Sequence, residues 1–154
     1  MDNTEISDKS KHLQEIEMIV KSGAPDILQR VVEYLRDNFS KYSWVGVYLL
    51  HDDTLELAAW SGKHATAHVR IPVGMGICGL AAREKKTVIV GDVNSDPRYL
   101  QCFTETKSEI VVPIMRGRTV YGEIDIDGTE LNAYSDSDRN FLESVATMLA
   151  DVIA

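Results

Sequence analysis

The run Glu123-Ile124-Asp125-Ile126-Asp127 alternates three carboxylates with isoleucine. A period of two is the pattern of a strand, so the three acids share one sheet face. A fourth acid, Glu109, stands in Ser108-Glu109-Ile110-Val111-Val112-Pro113, and Cys102 lies 23 residues before Asp125. Clustered carboxylates repel one another, favour a bound cation and raise each other's pKa. A thiol nearby adds nucleophilic and redox chemistry. The combination points to a pocket that binds a cationic group and does thiol chemistry. The plainer alternative is the wet face of an antiparallel sheet. A long polar loop carrying a thiol weighs against that, because a solvated face needs no lid.

These residues need a scaffold, and the hydrophobic periodicity supplies one. Leu13, Ile16 and Val20 share a face of a helix over 6–21. Ser22-Gly23-Ala24 breaks it, and Pro25 suits the first turn of a second helix carrying Ile27, Leu28, Val31, Val32, Leu35 and Phe39. Residues 43–50 and 54–60 form a hairpin about a turn at His51-Asp52-Asp53. Residues 69–73 are extended, and Pro72 places them at an edge. Gly74-Met75-Gly76-Ile77-Cys78-Gly79 leads into a short helix ending near Lys85, then a strand over 87–90. Residues 91–107 form a long loop, a length usually kept for function. Strands over 108–115 and 119–127 follow, and Ser135-Asp136-Ser137-Asp138 reads as the capping box of a final helix. The fold class is α+β: a single domain over 1–154, with 1–22 as a helical extension. Its central, mostly antiparallel sheet has the terminal helices on one face and a ligand pocket on the other.

Register decides where the acids point. A two-residue turn at Arg116-Gly117 would face every apolar residue of the last two strands with a polar one. A three-residue loop, Arg116-Gly117-Arg118, pairs Ile110 with Ile124, Val112 with Gly122 and Ile114 with Val120. That register sets Glu109 across from Asp125, with Asp127 one step further along. Cys102, seven residues before Glu109, is then within reach of this face.

Bulk composition narrows the function. The chain has 154 residues with 44% hydrophobic content, enough for one full core. A net charge of −8 argues against nucleic acid or anionic membrane as partner. Two cysteines do not make a disulfide scaffold and suggest reduced thiols, hence a cytoplasmic protein. No apolar run has transmembrane length, and Met1-Asp2-Asn3-Thr4-Glu5 lacks a basic leader.

These motifs together resemble the free methionine-(R)-sulfoxide reductases, enzymes built on a GAF domain. The resemblance runs most clearly from Ser43 to Asp127. It is carried by Trp44-Val45-Gly46-Val47-Tyr48-Leu49-Leu50, Val69-Arg70-Ile71-Pro72-Val73-Gly74 and Gly76-Ile77-Cys78-Gly79. Ser108-Glu109-Ile110-Val111-Val112-Pro113 and Asp125-Ile126-Asp127 complete it. It implies Cys102 as nucleophile, Glu109, Asp125 and Asp127 as substrate-binding and proton-donating acids, and Trp44 as a pocket wall. Cys78 would be an accessory thiol and candidate for recycling. His68 stands where many members carry the resolving cysteine, so the usual internal disulfide is unavailable here.

The substrate implied is free methionine sulfoxide, whose ammonium suits a carboxylate cluster and whose oxygen needs a proton. The reductant would be thioredoxin or another thiol, with no cofactor, and the chain is a possible homodimer. Bland readings remain beside these. Cys78 could be a buried inert thiol, and Trp44 and Trp60 core residues. His64 and His68 are spaced as on a helix, but the extended segment after them makes a metal site unexpected. Gly74-Met75-Gly76 lacks the lysine of a phosphate loop. The competing functions are a small-ligand GAF sensor and an adaptor dimerising through its first helix.

Overall fold

The computed structural model describes residues 3–101 and 103–154, with side chains from residue 9 onward. Helices α1 (Asn3–Val20) and α2 (Ile27–Asn38) open the chain. The stripe Ile27, Val31, Val32 and Leu35 is buried, as its spacing requires. Asp26 holds the N-cap position of α2 without a side-chain capping bond, so Pro25 lies in the preceding turn rather than inside the helix. Strands β1 (Trp44–His51) and β2 (Thr54–Ser61) form the expected hairpin. Its turn is Asp52-Asp53, with Asp52 at φ +57°, a conformation aspartate tolerates better than most residues. After β3 (Arg70–Pro72), α3 (Gly76–Glu84) and β4 (Val88–Val90) come the long strands β5 (Ser108–Arg116) and β6 (Thr119–Gly128), then α4 (Asp136–Ile153).

The six strands run in the order β3-β2-β1-β6-β5-β4. All neighbours are antiparallel. β3 is an edge strand, as Pro72 suggested. Each sheet face covers a separate core. On one, α1, α2 and α4 pack over Val45, Val47, Ile110, Val112, Ile114, Ile124 and Ile126. On the other, α3 and loop residues pack over Trp44, Tyr48, Leu55 and Val111. Both faces of β5 and β6 are therefore dry, and the solvated-face alternative is excluded.

The β5–β6 register differs from the one deduced. Arg116 pairs with Thr119 across a two-residue turn at Gly117-Arg118, with Gly117 at φ +62°. Ile114 pairs with Gly122 and Met115 with Val120, leaving Tyr121 as an extra, bulged residue. The bulge repairs the facing that a tight turn alone would have spoiled. Ile110 therefore pairs with Ile126, Val112 with Ile124, and Glu109 with Asp127 instead of Asp125. The apolar set keeps its face, but the acids shift by two positions.

The capping box at α4 forms. The Asp138 carboxylate accepts the Ser135 backbone N–H (2.9 Å) and the Tyr42 hydroxyl (2.7 Å). Asp138→Ala is expected to lower stability by about 1–3 kcal/mol, by uncapping the helix and removing the Tyr42–Asp138 hydrogen bond. A thermal midpoint equal to wild type would refute this.

Candidate active site

β5 and β6 build the floor. Glu109, Glu123, Asp125 and Asp127 point to the same side and are only 4%, 0%, 1% and 2% exposed. On the other side of β6, Trp44, Gly46 and Tyr48 of β1 stand opposite Asp127, Asp125 and Glu123. α3 crosses beneath the loop and sets Cys78 against Asp125 and Glu123, with the thiol itself buried.

Four carboxyls this close cannot all be charged. Burial pushes Glu123 and Asp127 well above the ordinary carboxylate range, and the Asp125 charge adds to both shifts. Burial also raises Asp125, opposed by hydrogen bonds from Glu109 and Cys78. Glu109 acts the other way on Asp125 and Asp127, holding both carboxyls lower than burial alone would. Carboxyl groups buried this close and raised by burial keep at least one proton among them, so the floor holds a donating acid. The Cys78 thiol is pushed up by burial and then by the charges of Asp125, Glu123 and Glu109, which keeps it protonated.

Trp44 forms the wall. Its indole occupies a slot made by two glycines: a Cβ on Gly46 would lie 2.4 Å from the ring, and one on Gly62 2.2 Å. Nε1 donates to the His64 carbonyl (3.1 Å), and the ring stacks on Trp60 at 6.4 Å. A cavity of about 450 Å³ opens here, with Arg36, Trp44, Lys63, His64, Phe103 and Asp127 among its lining. Asp127 is the floor acid it reaches; Glu109, Asp125 and Cys78 lie deeper.

The long loop is tied down at its base, where the Val93 N–H donates to the Lys107 carbonyl (2.9 Å) and the Lys107 N–H to the Gly128 carbonyl (2.8 Å). Its middle turns toward the site. His68 Nε2 bonds the Gln101 carbonyl (2.8 Å) and so carries the hydrogen, while Phe103 packs against Trp44 at 5.7 Å. Cys102 itself lies outside the described residues.

Of the residues singled out in the sequence, Trp44, Cys78, Glu109, Asp125 and Asp127 come together. Glu123 was placed on the right face but given no part, although the same alternation that recommends Asp125 and Asp127 includes it. The basic residues Arg36 and Lys63 were missed. They come from a helix and a loop far from the acids in sequence, and no local pattern marks them.

A six-stranded antiparallel sheet with helices on one face and a pocket on the other is the GAF class, and the family model described as "GAF domain" matches residues 22–154. Free methionine-R-sulfoxide reductase of Escherichia coli (strain K12) is 36% identical over 120 residues, covering 78% of this chain and 72% of its own. The type II free methionine-R-sulfoxide reductase of Thermoplasma acidophilum superposes with a TM-score of 0.80 at 38% identity, covering 90% and 94% of the two chains. The enzyme from Neisseria meningitidis, solved with its substrate, gives 0.87 at 31% identity over 98% and 90%. The chain belongs to the free methionine-R-sulfoxide reductase family.

Glu123 yields a test of the electrostatics. A carboxyl whose pKa rises on folding holds a proton that the unfolded chain has lost. Its contribution is therefore greatest below the unfolded value of about 4.3 and falls as pH climbs toward the folded value. Glu123→Gln removes that dependence. Between about pH 5 and about pH 7 the decline in unfolding free energy should flatten by up to about 1.4 kcal/mol per pH unit. Denaturant titrations at several pH values would show it; parallel curves for both proteins would exclude a proton held at Glu123.

Proposed function

We propose that this chain reduces free L-methionine-(R)-S-oxide to L-methionine through a sulfenic acid on Cys102, recycled by thioredoxin or another thiol. The observation that carries the reading is the buried acid floor, four carboxyl groups that burial keeps partly protonated beside a cavity sized for an amino acid. The family membership points the same way.

Substrate enters the cavity with its ammonium toward Asp127 and its carboxylate toward Arg36 and Lys63, which line the same space. Charge-assisted pairs at both ends select a free amino acid, because a peptide lacks the two charges. Trp44 and Phe103 hold the methyl and methylene groups. A floor acid donates to the sulfoxide oxygen as the Cys102 sulfur attacks the substrate sulfur. The oxygen passes to Cys102, methionine leaves as the thioether, and the cysteine becomes a sulfenic acid. Two equivalents of an external thiol then return it to the thiol, releasing water and a disulfide.

The two chain neighbours of Cys102 support its role, since Gln101 is bonded to His68 and Phe103 packs on Trp44. The branch without a resolving cysteine, with His68 at that position, is part of the proposal. Burial and a raised pKa weigh against Cys78 as the resolving nucleophile. Direct attack by the external thiol is the simpler route.

The test is NADPH consumption with thioredoxin, its reductase and free methionine-R-sulfoxide. Turnover is expected with the R epimer only, and none with peptide-bound sulfoxide. Cys102→Ser should lower it by at least about 10³-fold. Binding of the sulfoxide with no turnover would replace the enzyme by a sensor.

A further inference from the structure

The inner end of the acid floor has ligating atoms that a substrate at Asp127 leaves unused. Cys78 Sγ, one oxygen of Glu109 and one of Asp125 all lie within 4.8 Å of one another, and all three residues are buried. Glu123 stands against the same thiol and against Asp125. Both of its carboxyl oxygens and Asp125 Oδ1 are buried without a hydrogen-bond partner among the described residues. Buried carboxyl oxygens are normally satisfied, and an ion is one of the few things that satisfies several at once. In the sequence, metal-ligand spacing stands out only at His64 and His68, where the extended segment that follows makes a metal unexpected. The thiol–carboxylate grouping arises when α3 is laid across the paired strands.

We propose that Cys78, Glu109 and Asp125 form a binding site for a divalent metal ion of the zinc class, with Glu123 as the fourth ligand. Calcium and magnesium seek shells made of oxygen, whereas one sulfur among carboxylates selects zinc or a similar borderline ion. Four ligands suit its tetrahedral preference. Metal–ligand bonds of about 2.0–2.3 Å put neighbouring ligand atoms about 3.3–3.8 Å apart, so the group closes slightly, a movement the Glu109 side chain can supply. As the metal–sulfur bond forms, Cys78 gives up its proton to water. The dication then offsets the charge of the Asp125 and Glu123 carboxylates. The site does not depend on the reductase reading. If that reading holds, an ion here takes the protons of Glu109 and Asp125, which leaves fewer acids to donate to the sulfoxide oxygen, and acts as a reversible block.

The chain has two cysteines, so Cys102→Ser leaves one thiol. Titrating that full-length variant with Co²⁺ should produce a thiolate-to-cobalt charge-transfer band in the near ultraviolet, saturating at one equivalent and abolished by Zn²⁺. Adding Glu109→Gln should weaken Co²⁺ binding at least about tenfold, and adding Cys78→Ser should remove the band. No band in a Cys102→Ser protein whose circular dichroism matches wild type would overturn the proposal. So would a band that survives the loss of Cys78. Neither outcome bears on turnover, so a failed reductase assay and a failed metal site remain separate results.

Discussion

The burial of four carboxyl groups on adjacent strands is the constraint around which the domain is arranged. An isolated buried carboxylate is too costly to keep ionised, so such groups neutralise or find partners. Here burial raises Glu123, Asp125 and Asp127, Glu109 partly offsets the rise at the two aspartates, and Cys78 faces Asp125 and Glu123. The arrangement holds only in one register. A slip of one residue would turn Ile124 and Ile126 into the pocket and drive the acids against the helices. The apolar contacts of α2 and α4 on the opposite face thus hold the acids in place. The stability of the core and the chemistry of the pocket are two outcomes of one strand pairing.

Much of this could be read from residue order. Period-two alternation identified β5 and β6 and assigned the acids to one side. Helical spacing gave α2 and α4, and Ser135-Asp136-Ser137-Asp138 marked a cap that forms. The β5–β6 pairing was not legible. In a regular ladder only a three-residue loop keeps the apolar side intact. The chain uses a tight turn and a bulge at Tyr121 instead, a solution with the same facing and a different partner for Glu109. A bulge leaves little trace in sequence, because it is chosen by the twist and packing of the whole sheet. Arg36 and Lys63 stayed hidden for a related reason: a cavity is a property of tertiary arrangement.

The wall opposite the acids is set as tightly as the floor. Gly46 is the one residue type that leaves the indole room on β1, and Gly62 does the same from the end of the hairpin. The short β1 segment Trp44-Val45-Gly46 thus provides both an aromatic group and the gap it fills. Trp44 stands opposite Asp127 and Gly46 opposite Asp125, so the wall and the floor meet through cross-strand pairs of β1 and β6.

Trp44 lines the cavity and stacks on Trp60, the other of the chain's two tryptophans. Ultraviolet emission from the protein therefore originates almost entirely where a guest would sit. The molecule carries its own optical probe, free of background from distant indoles, and occupancy can be followed without attaching a label.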